Sequence, residues 1–188
     1  MKRYILTLII AVFALMQAAA QTYDNLWKQA DIIARKDQPR SEIGVMKKII
    51  SKASAAKDYG QLMAAEMRQM ILWKEISADS LTPNVERMEA EVLKVKDPAL
   101  KAVRYAVLGK VYSDMDEKKS EEFFKKALQQ PELLAKHTST EYVPLTLKGV
   151  DGSSFNNDLL HLIGFEADSK EAYHLMYTYY NKVGNRGA

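Results

Sequence analysis

The sequence predicts an all-α fold, an array of antiparallel helical hairpins that follows a cleaved signal peptide. Three observations predict it. Apolar residues recur at three- and four-residue spacing through most of the 188 residues, which gathers them on one face of successive helices. Short polar stretches carrying Asp, Ser or Pro separate these faces at the intervals of helix–turn–helix pairs. The N-terminus alone differs: Lys2 and Arg3 precede an apolar run from Tyr4 to Met16, interrupted only by Thr7, and Ala18, Ala19 and Ala20 close it.

A basic start, an apolar stretch and an Ala-x-Ala ending make residues 1–20 a secretory signal peptide, cut between Ala20 and Gln21. The run is too short for a spanning helix, which needs about 20 apolar residues, so the mature form has no membrane span. No cysteine follows the run, which excludes a lipoprotein anchor at that point. Removing residues 1–20 leaves 168 residues and takes away Lys2 and Arg3, so the formal charge falls from +3 to +1. A near-neutral chain has no electrostatic footprint for nucleic acid. The absence of cysteine also excludes disulfides, thiol nucleophiles and thiolate metal sites, leaving helix packing to supply stability.

Residues 21–136 form the helical-hairpin array. Tyr23, Leu26, Trp27, Ala30, Ile33 and Ala34 make the first apolar face, and Gln38-Pro39 breaks it. Ile43, Met46, Ile49, Ile50 and Ala53 make the second. Asp58 caps a third helix carrying Leu62, Ala65, Met67, Met70 and Ile71, and reaching as far as Ile76. Thr82-Pro83 and Asp97-Pro98 each pair a capping side chain with a proline at the first helical position, where the missing N–H costs nothing. They predict a fourth helix from Pro83 to about Val95 and a fifth from Pro98 to about Ser113. A sixth runs from Glu117 and ends by Gln130, before Pro131. Residues 137–154, with Tyr142, Val143, Leu145, Leu147 and Val150 before Gly152, read as a loop or short extended segment. Residues 155–188 form a C-terminal helical pair packed on the array. Phe155, Leu159, Leu160, Leu162 and Ile163 mark its first helix. Ala172, Leu175, Met176 and Tyr179 mark the second, which starts after Ser169 and ends with Gly184 as C-cap.

Within residues 98–130, Leu108-Gly109 with Tyr112, then Ser120, Phe124, Ala127 and Pro131, resembles the tetratricopeptide pattern. That pattern places Gly and Ala where two helices approach most closely. The match requires a turn one residue shorter around Met115–Lys118, and the other pairs carry little of the motif, so the array is tetratricopeptide-like without regular repeats.

No constellation for catalysis emerges, and no metal or cofactor site. His137, His161 and His174 form no His-x-x-x-His pair, and structural roles fit them better. The scattered glycines make no phosphate-cradling loop. Glu89 and Glu91 fall on different sides of a helix. Glu121 and Glu122 sit beside Lys118, Lys119, Lys125 and Lys126 at ion-pair spacing, a solvated face. Asp151-Gly152-Ser153 lacks the spaced ligands of a calcium loop and reads as a turn. Trp27 and Trp73 are core anchors between helix pairs. The last helix is dense in tyrosine, and Tyr173, Tyr177 and Tyr180 are candidates for a partner-docking face.

Phe155 to Gly164, reading FNNDLLHLIG, followed by Tyr179 to Arg186, reading YYNKVGNR, resembles the N-terminal helical region of bacterial α2-macroglobulin-like proteins of the Bacteroidota. Gln21 to Lys28, reading QTYDNLWK, is similar to the start of those chains. The resemblance covers the whole chain. It implies a periplasmic or envelope-associated protein of a Gram-negative bacterium, in which a helical segment precedes β-sandwich domains, a bait region and a thioester domain that together trap proteases. The sequence departs from that pattern by ending at Ala188 without the β-sandwich series or a Cys-x-x-Gln thioester. The expectation is therefore a non-enzymatic helical scaffold, the N-terminal part of such a protein, with no inhibitory activity alone. Its partners are then other domains of a longer chain, or a separate protein. The alternative is a free-standing periplasmic tetratricopeptide-like module that binds peptide or protein.

Overall fold

A computed structural model describes residues 23–146 and 157–184, and among these every regular element is helical. Residues 1–20, read as a signal peptide, and Leu147, Val150, Asp151–Ser153, read as a turn, Phe155 and the last residues of the stretch that resembles the macroglobulin-like proteins lie outside the described residues. Helix α1 covers 23–34. It is followed by α2 (Pro39–Ala56), α3 (Tyr59–Ile76), α4 (Ala78–Val92), α5 (Pro98–Tyr112), α6 (Glu117–Ala127), the short α7 (Pro131–Leu134), α8 (Leu159–Ala167) and α9 (Lys170–Lys182).

Local chemistry sets most of these boundaries. Asp58 accepts a hydrogen bond from the Gln61 amide, and Asp97 one from the Leu100 amide, each ahead of its helix. Asp116, Asp158 and Ser169 do the same for α6, α8 and α9. Each satisfies one of the donors that a helix start leaves without a partner. Gly184 takes a φ of +79° just beyond α9, the left-handed conformation that suits glycine after a helix.

Thr82-Pro83 does not open the fourth helix. That helix starts at Ala78 and carries Pro83 inside it. Leu81 is the reason. It is buried with Val85, Met88 and Val92, on one stripe that continues upstream of the proline. Burying Leu81 requires helix before Pro83, and the loss is the one backbone bond Pro83 has no N–H to make. The segment after α7 is also tighter than a loop. Among its described residues, Ser139–Tyr142 form a 3₁₀ turn, and an isolated antiparallel bridge joins Thr138 to Asp158.

Two apolar cores result. One gathers Tyr23, Ala30, Ile43, Met46, Ile49, Leu62, Ala65 and Leu72, from α1, α2 and α3. The other runs from Met63 and Met70 through α4, α5 and α6 to Leu159, Leu160, Ile163 and Met176 of α8 and α9. Helix α3 belongs to both, giving Leu62, Ala65 and Leu72 to the first and Met63 and Met70 to the second. Helix α2 runs in broad contact along α3, and α5 along α6. A bidentate pair, Arg68 Nε to Glu42 Oε1 at 2.7 Å and Nη2 to Oε2 at 3.2 Å, ties α2 to α3 as well.

Gly109 stands where α5 meets α6. A Cβ there would lie 2.7 Å from the Phe124 ring, and Ser120 Oγ donates to the Gly109 carbonyl at 2.8 Å. Gly109→Leu is expected to destabilise the protein by about 1–3 kcal/mol through overpacking, read as a lower urea midpoint. An unchanged midpoint would mean that the Phe124 ring swings aside freely.

Candidate functional site

The tyrosines of α9 divide between two environments. Tyr173 and Tyr177 stand exposed, with Tyr173 Oη donating to Asp168 at 2.9 Å. Tyr180 does not belong to a docking face, because only 3% of it is exposed. It follows Ala172 and Met176 on the buried stripe of α9, and its hydroxyl donates to the Asp158 carboxylate at 2.7 Å. Phe165 of α8 and Val183 just after α9 are also exposed.

The histidines occupy separate places. His137 Nδ1 lies 2.9 Å from Glu141 on an exposed turn, His174 is exposed on α9, and His161 is buried against the Tyr180 ring. Burial pushes the His161 imidazole below its usual range, with Asp158 opposing. No group of three or more His, Asp or Glu capable of holding a metal ion occurs among the described residues. Glu122 pairs with Lys126 at 2.6 Å on the surface of α6. Glu89 accepts from Tyr112 Oη and from Lys119 Nζ, a clamp across α4, α5 and α6.

A cleft of about 390 Å³ opens over the middle of α3. Glu66, Gln69 and Trp73 of α3 make its floor, at i, i+3 and i+7 and therefore on one stripe. Lys47, Ile50 and Ser51 of α2 form one wall, and Asn84 and Arg87 of α4 the other. Glu66 and Gln69 are each 6% exposed, whereas Lys47, Ser51 and Arg87 reach solvent at the rim. Beneath the floor, Arg104 of α5 approaches Glu66 Oε1 at 3.3 Å and Glu91 Oε2 at 3.6 Å, and Arg87 donates to Glu91 Oε1 at 2.8 Å. Two cations and two carboxylates thus alternate from the rim to the interior. Glu66 Oε2 has no hydrogen-bond partner among the described residues. Burial raises the Glu66 carboxyl above its usual range, and Arg104 is the strongest influence against that rise.

No family model, curated protein or solved structure matches the chain. The cleft must be read from its own chemistry. Side chains of this kind, two primary amides, an indole, cations on facing walls and a buried carboxylate, can hold polar main chain and charged side chains. Sequence reasoning singles out only Trp73 among them, and as a core anchor. Trp73 does pack on the first core, but it also faces the cleft. The signal for the others lies in α3. Glu66 and Gln69 share the helical phase of Leu62, a buried position, and polar side chains in a core phase need a partner or a ligand.

Proposed function

We propose that this chain is a non-enzymatic, exported helical module that binds polypeptide through the cleft between α2, α3 and α4. The observation that carries the reading is the composition of the cleft over three helices. Gln69 offers the donor and acceptor pair that a peptide group presents in reverse. Trp73 offers a flat apolar face, and Lys47 and Arg87 offer charge at the rim. The deepest ionisable group of the cleft lining, Glu66, is paired with the Arg104 guanidinium, which supports a holding role over proton transfer.

A peptide array probed with the purified protein tests this. Binding of a defined subset of peptides is expected, and Asn84→Ala should weaken it with helix content unchanged by circular dichroism. Retention of full binding by that variant would place the peptide site elsewhere.

The exposed Phe165, Tyr173, Tyr177 and Val183 favour a second reading. There the chain is the N-terminal helical part of an α2-macroglobulin-like protease-trapping protein, and this surface docks a further domain or a protein partner. On that reading, replacing Tyr173 and Tyr177 with Ser reduces self-association or partner binding in sedimentation experiments while helix content holds. A wild-type protein that is monomeric at all concentrations and unaffected by the double change would count against it.

A further inference from the structure

The cleft has an unbalanced charge, and the imbalance selects its ligand. Arg87, Glu91, Arg104 and Glu66 neutralise one another in sequence, through contacts of 2.8, 3.6 and 3.3 Å. Lys47, on the opposite wall, is exposed and has no hydrogen bond or ion pair among the described residues. The lining is therefore positive by one charge with Glu66 ionised. Arg87 spends Nη1 on Glu91, and the rest of its five N–H donors remain for a planar, two-oxygen acceptor. The Trp73 indole N–H likewise has no described partner.

Resting on the polypeptide-binding reading above, we propose that the cleft selects an acidic peptide segment, with side-chain carboxylates at the Lys47 and Arg87 walls and the main chain along Gln69 and Trp73. The cations stand on different helices on either side of the α3 floor. That separation suits two acidic side chains spaced along a segment better than one terminal carboxylate. A basic segment would meet Lys47 and Arg87 at the rim and find the one floor carboxylate, 6% exposed, already facing Arg104. The Gln69 amide on the floor favours a peptide group over the ring hydroxyls of an acidic saccharide.

Fluorescence anisotropy with labelled hexapeptides tests the assignment. All are blocked at both ends, on an alanine background, with two Glu, two Gln or two Lys residues. A Glu-free peptide with an open C-terminus and a labelled oligogalacturonate complete the panel. The Glu peptide is expected to bind about fivefold more tightly than its Gln counterpart, a difference that shrinks as salt rises. Lys47→Gln should remove most of that preference, and Lys47→Glu should turn it toward the Lys peptide. Lys47 is exposed on α2, so neither variant threatens the fold. Equal binding of the Glu, Gln and Lys peptides would overturn the charge assignment and leave the polypeptide reading standing. Binding of the open C-terminus at least as tight as that of the Glu peptide would overturn the assignment to side chains. Binding of oligogalacturonate alone, or of no member of the panel, would remove both readings.

Discussion

Arg104→Met is expected to cost about 3–5 kcal/mol of stability at neutral pH, the usual consequence of removing one partner from a buried ion pair. Arg104 is 7% exposed and Glu66 6%, so water replaces little of what the guanidinium supplied. Losing it removes the largest influence that holds the Glu66 carboxyl down against burial. The folded-state pKa of Glu66, already raised, then rises further. A carboxyl whose folded pKa exceeds its unfolded value is most favourable to the fold below the unfolded pKa. Its contribution is lost as pH rises through the folded value. The variant's deficit should accordingly be small near pH 4 and grow toward pH 7. Urea denaturation at both pH values, for the wild type and the variant, measures this. Glu66→Met combined with Arg104→Met should recover much of the loss, because no charge is then left buried without an opposite. Equal deficits at the two pH values would show that Arg104 contributes packing and not charge.

Gly60→Ala should destabilise the protein by about 2 kcal/mol, although alanine is the better helix former by nearly 1 kcal/mol. Gly60 is in the first turn of α3, and the chain beyond the 3₁₀ turn crosses directly over it. A Cβ at that position would sit 2.2 Å from the Val143 carbonyl oxygen and 2.6 Å from the Tyr142 carbonyl carbon. Both are backbone atoms, so no rotamer change relieves the clash. The segment has to lift from α3, and Tyr142, now 4% exposed in the second core, must lift with it. Thermal denaturation reads the stability, and limited proteolysis reads the segment, with faster cleavage expected around residues 139–146. A raised melting temperature would mean that the crossing adjusts without strain and the helix propensity of alanine dominates.

Helix existence was legible because it depends on local signals. Asp58, Asp97 and Ser169 cap the helices that their sequence context announces, since a cap acts within three residues of itself. Pro83 misled because a single tertiary contact, the burial of Leu81, outweighed a local preference. Tyr180 misled for a related reason: four tyrosines within eight residues cannot all face one way. The members on the Ala172–Met176 stripe go inward, while Tyr173 and Tyr177 remain outside. The cleft was hidden because its residues come from three helices, and only folding brings Lys47 opposite Arg87. The polar phase of Glu66 and Gln69 was its one local trace.

Because α3 is a wall of both apolar cores, neither half of the molecule keeps its own interior once that helix is disturbed. The arrangement favours melting as one cooperative unit over the sequential fraying of a loosely stacked solenoid. It also bears on the proposed peptide binding. A ligand resting on the cleft floor formed by α3 would stabilise the helix on which both interiors depend, so its binding free energy would be shared by residues as distant as α1 and α9. Occupancy at one small cleft becomes, by linkage, a property of the whole chain.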